Sequence, residues 1–319
     1  MIAKWIHTRG PIFCLAAGVV AVLVSASPLS AQSTDLKPGE YRRRVMIANS
    51  DGSNVGISIH VPGFVSQGSP AWSPDGQMLA IDAWGSNSNS AGSKIIVARL
   101  DGTKSMVLGD GAMPWFSPDG DKVVYCRSSP YGIYVQRIDE EGHAPEMIAQ
   151  NGWCGRWSPD GKVISFLMSN NGRANLCLQT IDDGSRRFLF PAGVENPYRQ
   201  LYWNYSWSAD GKYIAGMGES PEGKEIFVME TEGENPKLIR LPYAPIDNRV
   251  TFTPDGRLMF GLSKDKKHQL YTLDFQKEGA EPVVVPIPPE YKVNGGIMSP
   301  DGSLIAFVME RPLPDFAKE

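Results

Sequence analysis

The chain has 319 residues, a formal net charge of −4 at pH 7 and 21% charged residues. This acidic balance offers no basic surface of the kind that nucleic acid or an anionic membrane requires, so no nucleic-acid partner is predicted. The length would allow two domains, but the repeats described below occupy most of the chain and predict one.

The N-terminal residues 1–31 have the layout of a secretory signal peptide. Lys4 and Arg9 give a positive start, an apolar run covers residues 14–26, and small residues follow as far as Ala31. The run is too short to favour a spanning helix, although an uncleaved anchor is the alternative. We therefore expect a periplasmic or secreted protein with no membrane insertion after cleavage, and a linker over residues 32–41.

A four-residue phrase, SPDG or a close variant, occurs six times along the rest of the chain. Counted from glycine to glycine, the copies are 44, 41, 50, 45 and 46 residues apart. This is the period of a β-propeller made of four-stranded blades. A large side chain stands before each copy and an alternating apolar run follows, which predicts a strand, a turn and a second strand.

The phrase itself predicts a tight turn, in which Asp suits the third position and Gly the left-handed position after it. A ring of calcium-binding carboxylates is the other interpretation of the repeated aspartates, but equivalent turn positions on separate blades favour turn stabilisation. The structural turn residues are Asp75, Gly76, Asp119, Gly120, Asp160, Gly161, Asp210, Gly211, Asp255, Gly256, Asp301 and Gly302.

An acidic residue followed by Gly marks a second turn in each of the first five repeats, between the predicted third and fourth strands. The last SPDG copy has no such partner, whereas Asp51-Gly52 precedes the first copy. The sequence thus predicts an all-β, six-bladed propeller of antiparallel blades over residues 42–310, monomeric and followed by a tail over 311–319. Residues 43–61 are expected to complete the last blade by pairing with residues 303–309, which leaves no sheet edge unpaired.

The phrase WSPDGK at residues 157–162, with the apolar strand after it, resembles the WD-repeat-like propeller repeat of the TolB family. The resemblance covers about residues 42–310 and implies a propeller in the bacterial cell envelope. TolB has a separate α/β domain before its propeller, and here only about ten residues separate the predicted cleavage site from the first strand, so TolB's own role does not carry over. The same repeat occurs in prolyl-oligopeptidase-like peptidases and oligogalacturonate lyases.

Catalytic and metal-binding motifs are mostly missing from the sequence. There is no GxSxG nucleophile elbow, and GESPEGKE at residues 218–225 has Glu225 where a phosphate loop needs a hydroxyl. His60, His143 and His268 fall in different predicted blades, so no metal, cofactor or catalytic residue is predicted. The cysteines at positions 126, 154 and 177 are compatible with one disulfide between Cys126 and Cys154 or with three buried thiols.

The long and variable connections lie opposite the SPDG turns, and we call that end of the predicted propeller the loop face. Its aromatic and Arg side chains are of the kind that anchor interfaces. Tyr198 and Arg199 are expected to lie outside the blade cores and to contact a partner, whereas Tyr202 and Trp203 are equally compatible with packing between blades. The candidate binding residues are Trp84, Tyr131, Arg173, Tyr198, Arg199, Tyr202, Trp203 and Tyr291.

These features predict a non-catalytic platform that binds an envelope protein or peptide. The alternatives are an enzyme acting on a polysaccharide or lactone, or a carbohydrate-binding module, since sugar rings also stack on aromatic side chains. Three or more titratable side chains converging at one channel mouth would favour the enzyme. An uncharged aromatic patch would favour the platform.

Overall fold

The structure is a computed structural model that describes residues 43–57, 61, 64, 66–85, 92–139, 142–170, 172–191, 193–233, 236–264, 267–288 and 291–310. The predicted signal peptide, linker and tail lie outside this part. Within it the chain forms 25 strands in five sheets. The described residues include no helix with the length and apolar character needed to cross a membrane.

One sheet has eight strands and contains both ends of the described chain. Its strands are β1 (Arg43–Asn49), β2 (Gly56–Ile57), β3 (Ser66–Trp72), β4 (Met78–Trp84), β5 (Lys94–Arg99), β6 (Ser105–Asp110), β24 (Gly296–Met298) and β25 (Leu304–Glu310).

The other four sheets follow in chain order and have four or five strands each. The second sheet contains β7 (Ala112–Phe116), β8 (Lys122–Ser128), β9 (Tyr131–Arg137) and β10 (Glu146–Gln150). The third contains β11 (Trp153–Trp157), β12 (Val163–Asn170), β13 (Arg173–Thr180) and β14 (Arg186–Phe188). The fourth contains β15 (Gln200–Leu201), β16 (Ser206–Trp207), β17 (Tyr213–Ser220), β18 (Gly223–Glu230) and β19 (Leu238–Leu241). The fifth contains β20 (Val250–Phe252), β21 (Leu258–Lys264), β22 (Lys267–Leu273) and β23 (Val283–Val285).

The eight-stranded sheet corrects the prediction of six separate blades. Strand β1 pairs antiparallel with β25 along its whole length, and it also makes one parallel bridge to β3, between Arg43 and Ser66. Because this bridge joins two strand ladders, the residues predicted for the first and sixth blades share one sheet. Four sheets are therefore separate blades, not six, and no sheet in the described part closes on itself.

Apolar side chains pack between neighbouring groups of strands in six clusters. One cluster lies inside the eight-stranded sheet, where Val45 and Val308 of one half pack with Ile81 of the other. Another lies between the third and fourth sheets and includes Leu178 and Phe227. Each fully buried aliphatic or Phe side chain contributes about 1.5–3 kcal/mol, so these layers supply most of the stabilisation.

The strands that lead into the SPDG-type turns, β3, β7, β11, β16, β20 and β24, are here called the leading strands. Hydrogen bonds from side chains to backbone carbonyls connect these strands or the residues just before them. Tyr205 Oη donates to the Cys154 carbonyl at 2.8 Å, and Thr251 Oγ1 donates to the Gly296 carbonyl at 2.9 Å. Trp72 Nε1 donates to the Ile297 carbonyl at 3.1 Å, which links β3 to β24. The first and last leading strands are thus neighbours.

The SPDG-type turns share one hydrogen-bond pattern. In the third sheet Ser158 Oγ donates to Asp160 Oδ1 at 2.6 Å, and the Lys162 amide donates to the same oxygen at 3.1 Å. The turn glycines have φ between +69° and +83°, a region that L side chains rarely adopt. Neighbouring turns also touch: a Cβ on Gly120 would lie 3.5 Å from Pro74 Cδ, and one on Gly76 would lie 3.8 Å from Pro300 Cδ.

Replacing Gly161 with Val should destabilise the protein more than replacing Pro159 with Ala. Gly161 has φ +72°, where a β-branched side chain costs roughly 2 kcal/mol or more. Loss of Pro159 costs on the order of 1 kcal/mol through the entropy of the unfolded chain. Denaturant midpoints of the two variants test this, and equal losses would contradict the role given to the glycine.

Deleting the chain through Ile57 should make the protein insoluble or prone to aggregation. The deletion removes β1 and β2, which exposes the edge of β25 and leaves Ile81 without its cover from Val45. Solubility after expression and a thermal melt test the prediction. A soluble truncated chain with a cooperative melt would show that β1 is dispensable.

Candidate functional site

The structure divides the predicted binding residues into exposed and buried groups. Tyr131 is 44% exposed and Trp203 is 37% exposed, while Arg173 and the Arg199 side chain also face solvent. Trp84 and Tyr291 are partly buried; the Arg43 guanidinium lies 5.9 Å from the Trp84 ring, and Tyr291 packs edge-on against Phe307. Tyr198 and Tyr202 are buried, at 0% and 8% exposure.

The expectation that Tyr198 lies outside the blade cores is therefore wrong. Its ring packs against Phe190 and Phe227, and its Oη donates to Glu225 Oε1 at 3.0 Å. Gly218 faces the ring so closely that a Cβ there would overlap it. The long connection before β16 folds back over the third and fourth sheets, and an aromatic side chain in its middle fills the space between them. Chain position alone could not distinguish this from surface exposure.

Four aromatic residues, Tyr131, Trp153, Trp203 and Tyr202, form what we call the aromatic row. Tyr131 and Trp153 stack with ring centroids 5.8 Å apart and an interplanar angle of 13°. Tyr202 and Trp203 have centroids 6.0 Å apart, and the Cys154 thiol donates to the Trp203 carbonyl, which ties the two pairs together. The row thus spans the second, third and fourth sheets.

Trp153 is the member of the row that the sequence analysis missed. It stands four residues before Trp157, just as Trp203 stands four residues before Trp207, so the repeat alignment contained the signal. A cavity of about 130 Å³ lies beside Trp153 and is also lined by Ser93, Gly111, Cys126 and Arg127. The row therefore borders a small recess near the starts of the leading strands.

A second group of residues, the central cluster, consists of Arg43, Asp82, Arg156, Asp247 and Arg249. They come from strands or connections of three sheets, yet Arg249 interacts electrostatically with the other four. Arg249 Nε lies 3.8 Å from Asp247 Oδ2. Asp82, Arg156 and Arg249 are 5%, 2% and 6% exposed. Charged groups are this deeply buried only when neighbours compensate them.

One residue, Met113, connects two members of the central cluster through its backbone. The Met113 amide donates to Asp82 Oδ2 at 2.9 Å, and Arg156 Nη1 donates to the Met113 carbonyl at 3.3 Å. Met113 has φ +58° at a register shift in β7, and Ser69 and Cys154 have φ +46° and +59° at equivalent shifts in β3 and β11. Such bulges re-aim backbone and side-chain groups, at a cost of order 1–3 kcal/mol each.

Two glycines make room for the charged side chains of the cluster. A Cβ on Gly68 would lie 2.8 Å from Asp82 Oδ1, and a Cβ on Gly295 would lie 2.5 Å from Asp247 Oδ1 and 2.8 Å from Arg249 Cβ. Any other residue at these positions would displace the carboxylates. The backbone is thus shaped around this group of charges.

Burial dominates the electrostatics of the cluster. It raises the pKa of Asp82 despite the Met113 amide, the Ser69 hydroxyl and the nearby arginines, which all favour the charged form. Burial also lowers the pKa of Arg249, while Asp247 opposes that shift.

The described residues include no group of three or more His, Cys, Asp or Glu side chains arranged to hold a metal ion. His60 lies outside the described residues, His143 pairs with Asp139 at 2.8 Å, and His268 contacts Asn294 Oδ1 at 2.7 Å. The cysteines at positions 126, 154 and 177 are buried and are not joined by a disulfide.

The sheets pack against one another in chain order, and the SPDG-type turn is repeated along the chain. These two features define a β-propeller-like protein. The structure is similar to the putative TolB from Agrobacterium tumefaciens, with a TM-score of 0.64 and 20% identity, covering 86% of this chain and 100% of that one. It is also similar to TolB from Acinetobacter baumannii, with a TM-score of 0.57 and 18% identity, covering 86% of this chain and 65% of that one. These likenesses show a TolB-like propeller fold.

In sequence, the chain is 25% identical over 214 residues to the uncharacterized peptidase YuxL of Bacillus subtilis (strain 168). The match covers 61% of this chain and 28% of that protein, so the chain spans little more than a quarter of its relative. No known protein family profile matches the chain.

Tyr198→Ala and Arg199→Ala should differ sharply in stability although the residues are adjacent. Tyr198→Ala opens a cavity among Phe190 and Phe227 and should cost about 3 kcal/mol or more. Arg199 is 68% exposed at its side chain and pairs with Glu219 at the surface, so its loss should change stability by no more than about 0.5 kcal/mol. Urea unfolding of both variants measures the difference, and similar midpoints would contradict it.

Proposed function

We propose that this protein is a non-catalytic platform in the cell envelope that binds another protein or a peptide through the aromatic row. The observation that carries the proposal is the exposure of Tyr131, whose ring stacks on Trp153, and of Trp203, whose carbonyl accepts from the thiol of the neighbouring Cys154. Tyr and Trp lead the residues that dominate binding energy at interfaces, because they bury a large area with few rotatable bonds. The TolB-like fold and the predicted signal peptide support an envelope location.

The surroundings of the row favour a polypeptide partner. Arg199 and Glu219 form an exposed ion pair beside Tyr202, whose Oη donates to Glu219 Oε2 at 2.8 Å, and Lys224 Nζ lies 5.1 Å from the Tyr202 ring. An apolar row flanked by paired charges has the anatomy of an interface core with a polar rim. Carbohydrate binding rests on the same aromatic faces and is the minor alternative.

An enzyme acting on a polysaccharide or lactone is the second candidate, and the central cluster favours it. Asp82 has a raised pKa beside several arginines, a combination that occurs at catalytic centres. Against this, Asp82 is 5% exposed and hydrogen-bonded to the Met113 amide, and arginines do not exchange protons at neutral pH. The accessible groups are aromatic, which makes binding the better supported function.

We further propose that the two halves of the eight-stranded sheet act as two blades of a six-part ring. Among the residues that the structure describes, the Arg43–Ser66 bridge is their only direct ladder contact, and a hydrophobic cluster lies between them as between other neighbours. A Cβ on Gly76 would lie 3.8 Å from Pro300 Cδ, so the first turn lies beside the last one. This arrangement would hold the starts of the leading strands, and hence the aromatic row, in a fixed geometry.

The test immobilises three proteins, the wild type and two variants, and incubates each with bacterial envelope extract. The species that each protein captures are then compared. The Tyr131→Ala/Trp203→Ala variant should lose the species that the wild type retains, since removing interface hot spots costs about 2 kcal/mol or more. Val107→Ala is the matched control, because Val107 is 57% exposed on β6 and lies outside the row. Equal capture by all three proteins would contradict the platform. Lactone hydrolysis by the wild type that Asp82→Asn abolishes would favour the enzyme.

A further inference from the structure

The recess beside Trp153 is lined by residues of three sheets. Asp110 belongs to β6, Arg127 and Ser128 belong to β8, Ser129 follows them, and Trp153 belongs to β11. Its volume of about 130 Å³ is well above the roughly 10–15 Å³ that holds one water molecule, so there is room for a side-chain group. Because Trp153 also stacks on Tyr131, the recess lies directly beside the aromatic row.

Arg127 brings a guanidinium group without a counter-ion to this recess. Among the described residues, no oxygen accepts a hydrogen bond from its side chain and no carboxylate forms an ion pair with it, and its Nε atom is buried. The Tyr134 ring, whose centroid lies 5.0 Å from Arg127 Cζ, holds the guanidinium in place. Buried donors without an acceptor are rare, and a guanidinium in this state is suited to a ligand that supplies one.

The other charged residue that lines the recess already has a partner. Lys94 Nζ donates to Asp110 Oδ1 at 2.5 Å, and this ion pair faces solvent, which screens the charge of the carboxylate. The positive charge of Arg127 therefore stays uncompensated. The exposed hydroxyls of Ser128 and Ser129 also have no hydrogen-bond partner within the described part of the chain, so they add donors at the same place.

We propose that the recess receives the carboxylate of an Asp or Glu side chain from the polypeptide that binds the aromatic row, with Arg127 as its ion-pair partner. This inference rests on the proposed function and names the chemistry that the partner presents. A guanidinium offers parallel N–H donors that match the two oxygens of a carboxylate. One uncompensated positive charge matches one carboxylate, whereas a doubly charged phosphate would leave an excess negative charge beside Asp110.

The strand pairing of the second sheet favours a single ligand for the recess and the row. In the ladder between β8 and β9, Ser128 pairs with Tyr131 and Arg127 pairs with Gly132, and Trp153 borders both places. A polypeptide segment that lies across Tyr131 and Trp153 would thus present a neighbouring side chain to Arg127. An ion pair at the edge of an aromatic contact acts mainly on partner choice, because it disfavours segments with the wrong charge.

Calorimetric titration at low and constant ionic strength tests this site, with acetyl-Gly-Glu-Tyr-Gly-amide and its Gln counterpart as probes. The wild type should bind the Glu peptide about fivefold more tightly than the Gln peptide, the effect of one partly exposed ion pair. Arg127→Gln should abolish this preference. Asp110→Asn should increase it, because the amide removes the negative charge that repels the incoming carboxylate.

Arg187→Gln is the matched control, because Arg187 is an exposed arginine on β14 that lines neither the recess nor the row, and it should keep the wild-type preference. If Arg127→Gln does not fold, Asp110→Asn still decides. Equal binding of the two peptides, a preference that survives Arg127→Gln, or a smaller preference in Asp110→Asn would overturn the proposal. Acetate that binds as tightly as the Glu peptide would indicate a free acid and would overturn it too.

The envelope-extract assay separates this inference from the proposed function. If Tyr131→Ala/Trp203→Ala loses the captured species and Arg127→Gln keeps it, the row binds the partner and the role of the recess is contradicted. If the wild type captures nothing but prefers the Glu peptide through Arg127, the recess is supported and the platform is contradicted.

Discussion

Sheet-on-sheet packing of apolar side chains is the interaction on which the rest of this structure depends. Each group of strands buries residues against both of its neighbours, as Phe166 does between the second and third sheets and Phe260 between the fourth and fifth. Because no group of strands has a core of its own, the sheets are stable only together. The antiparallel pairing of β1 with β25 joins the two ends of the described chain, so these ends also stabilise each other.

This packing brings the leading strands close enough for polar contacts between sheets. The Tyr205 hydroxyl reaches the Cys154 carbonyl and the Thr251 hydroxyl reaches the Gly296 carbonyl, so backbone groups that no strand pairs are satisfied by side chains. The bulges at Ser69, Met113 and Cys154 interrupt regular pairing at the same places. The central cluster occupies this irregular zone, where the cost of strained backbone is offset by the surrounding layers.

Two surfaces of different chemistry result from one repeat. The SPDG-type turns use their Ser and Asp groups internally, and the carboxyl pKa of Asp160 is lowered by its bonds to the Ser158 hydroxyl and the Lys162 amide. The opposite end carries the aromatic row. A new binding surface on such a fold requires changes only in the connections between strands, because the turns and the buried cores keep the strands in place.

The sequence by itself determined the all-β class, the repeat period and the turns, because these follow from local chemistry: a Ser-Pro-Asp-Gly turn and alternating apolar residues act over a few positions. Tyr131 was also named as a candidate contact residue and is exposed, whereas for Trp203 the sequence left contact and packing equally open. Only the tertiary structure decided that Tyr198 is buried, that the first and last repeats share a sheet, and that Asp82 meets Arg249. Those facts depend on contacts between residues far apart in the chain, whose geometry is set by how whole sheets pack.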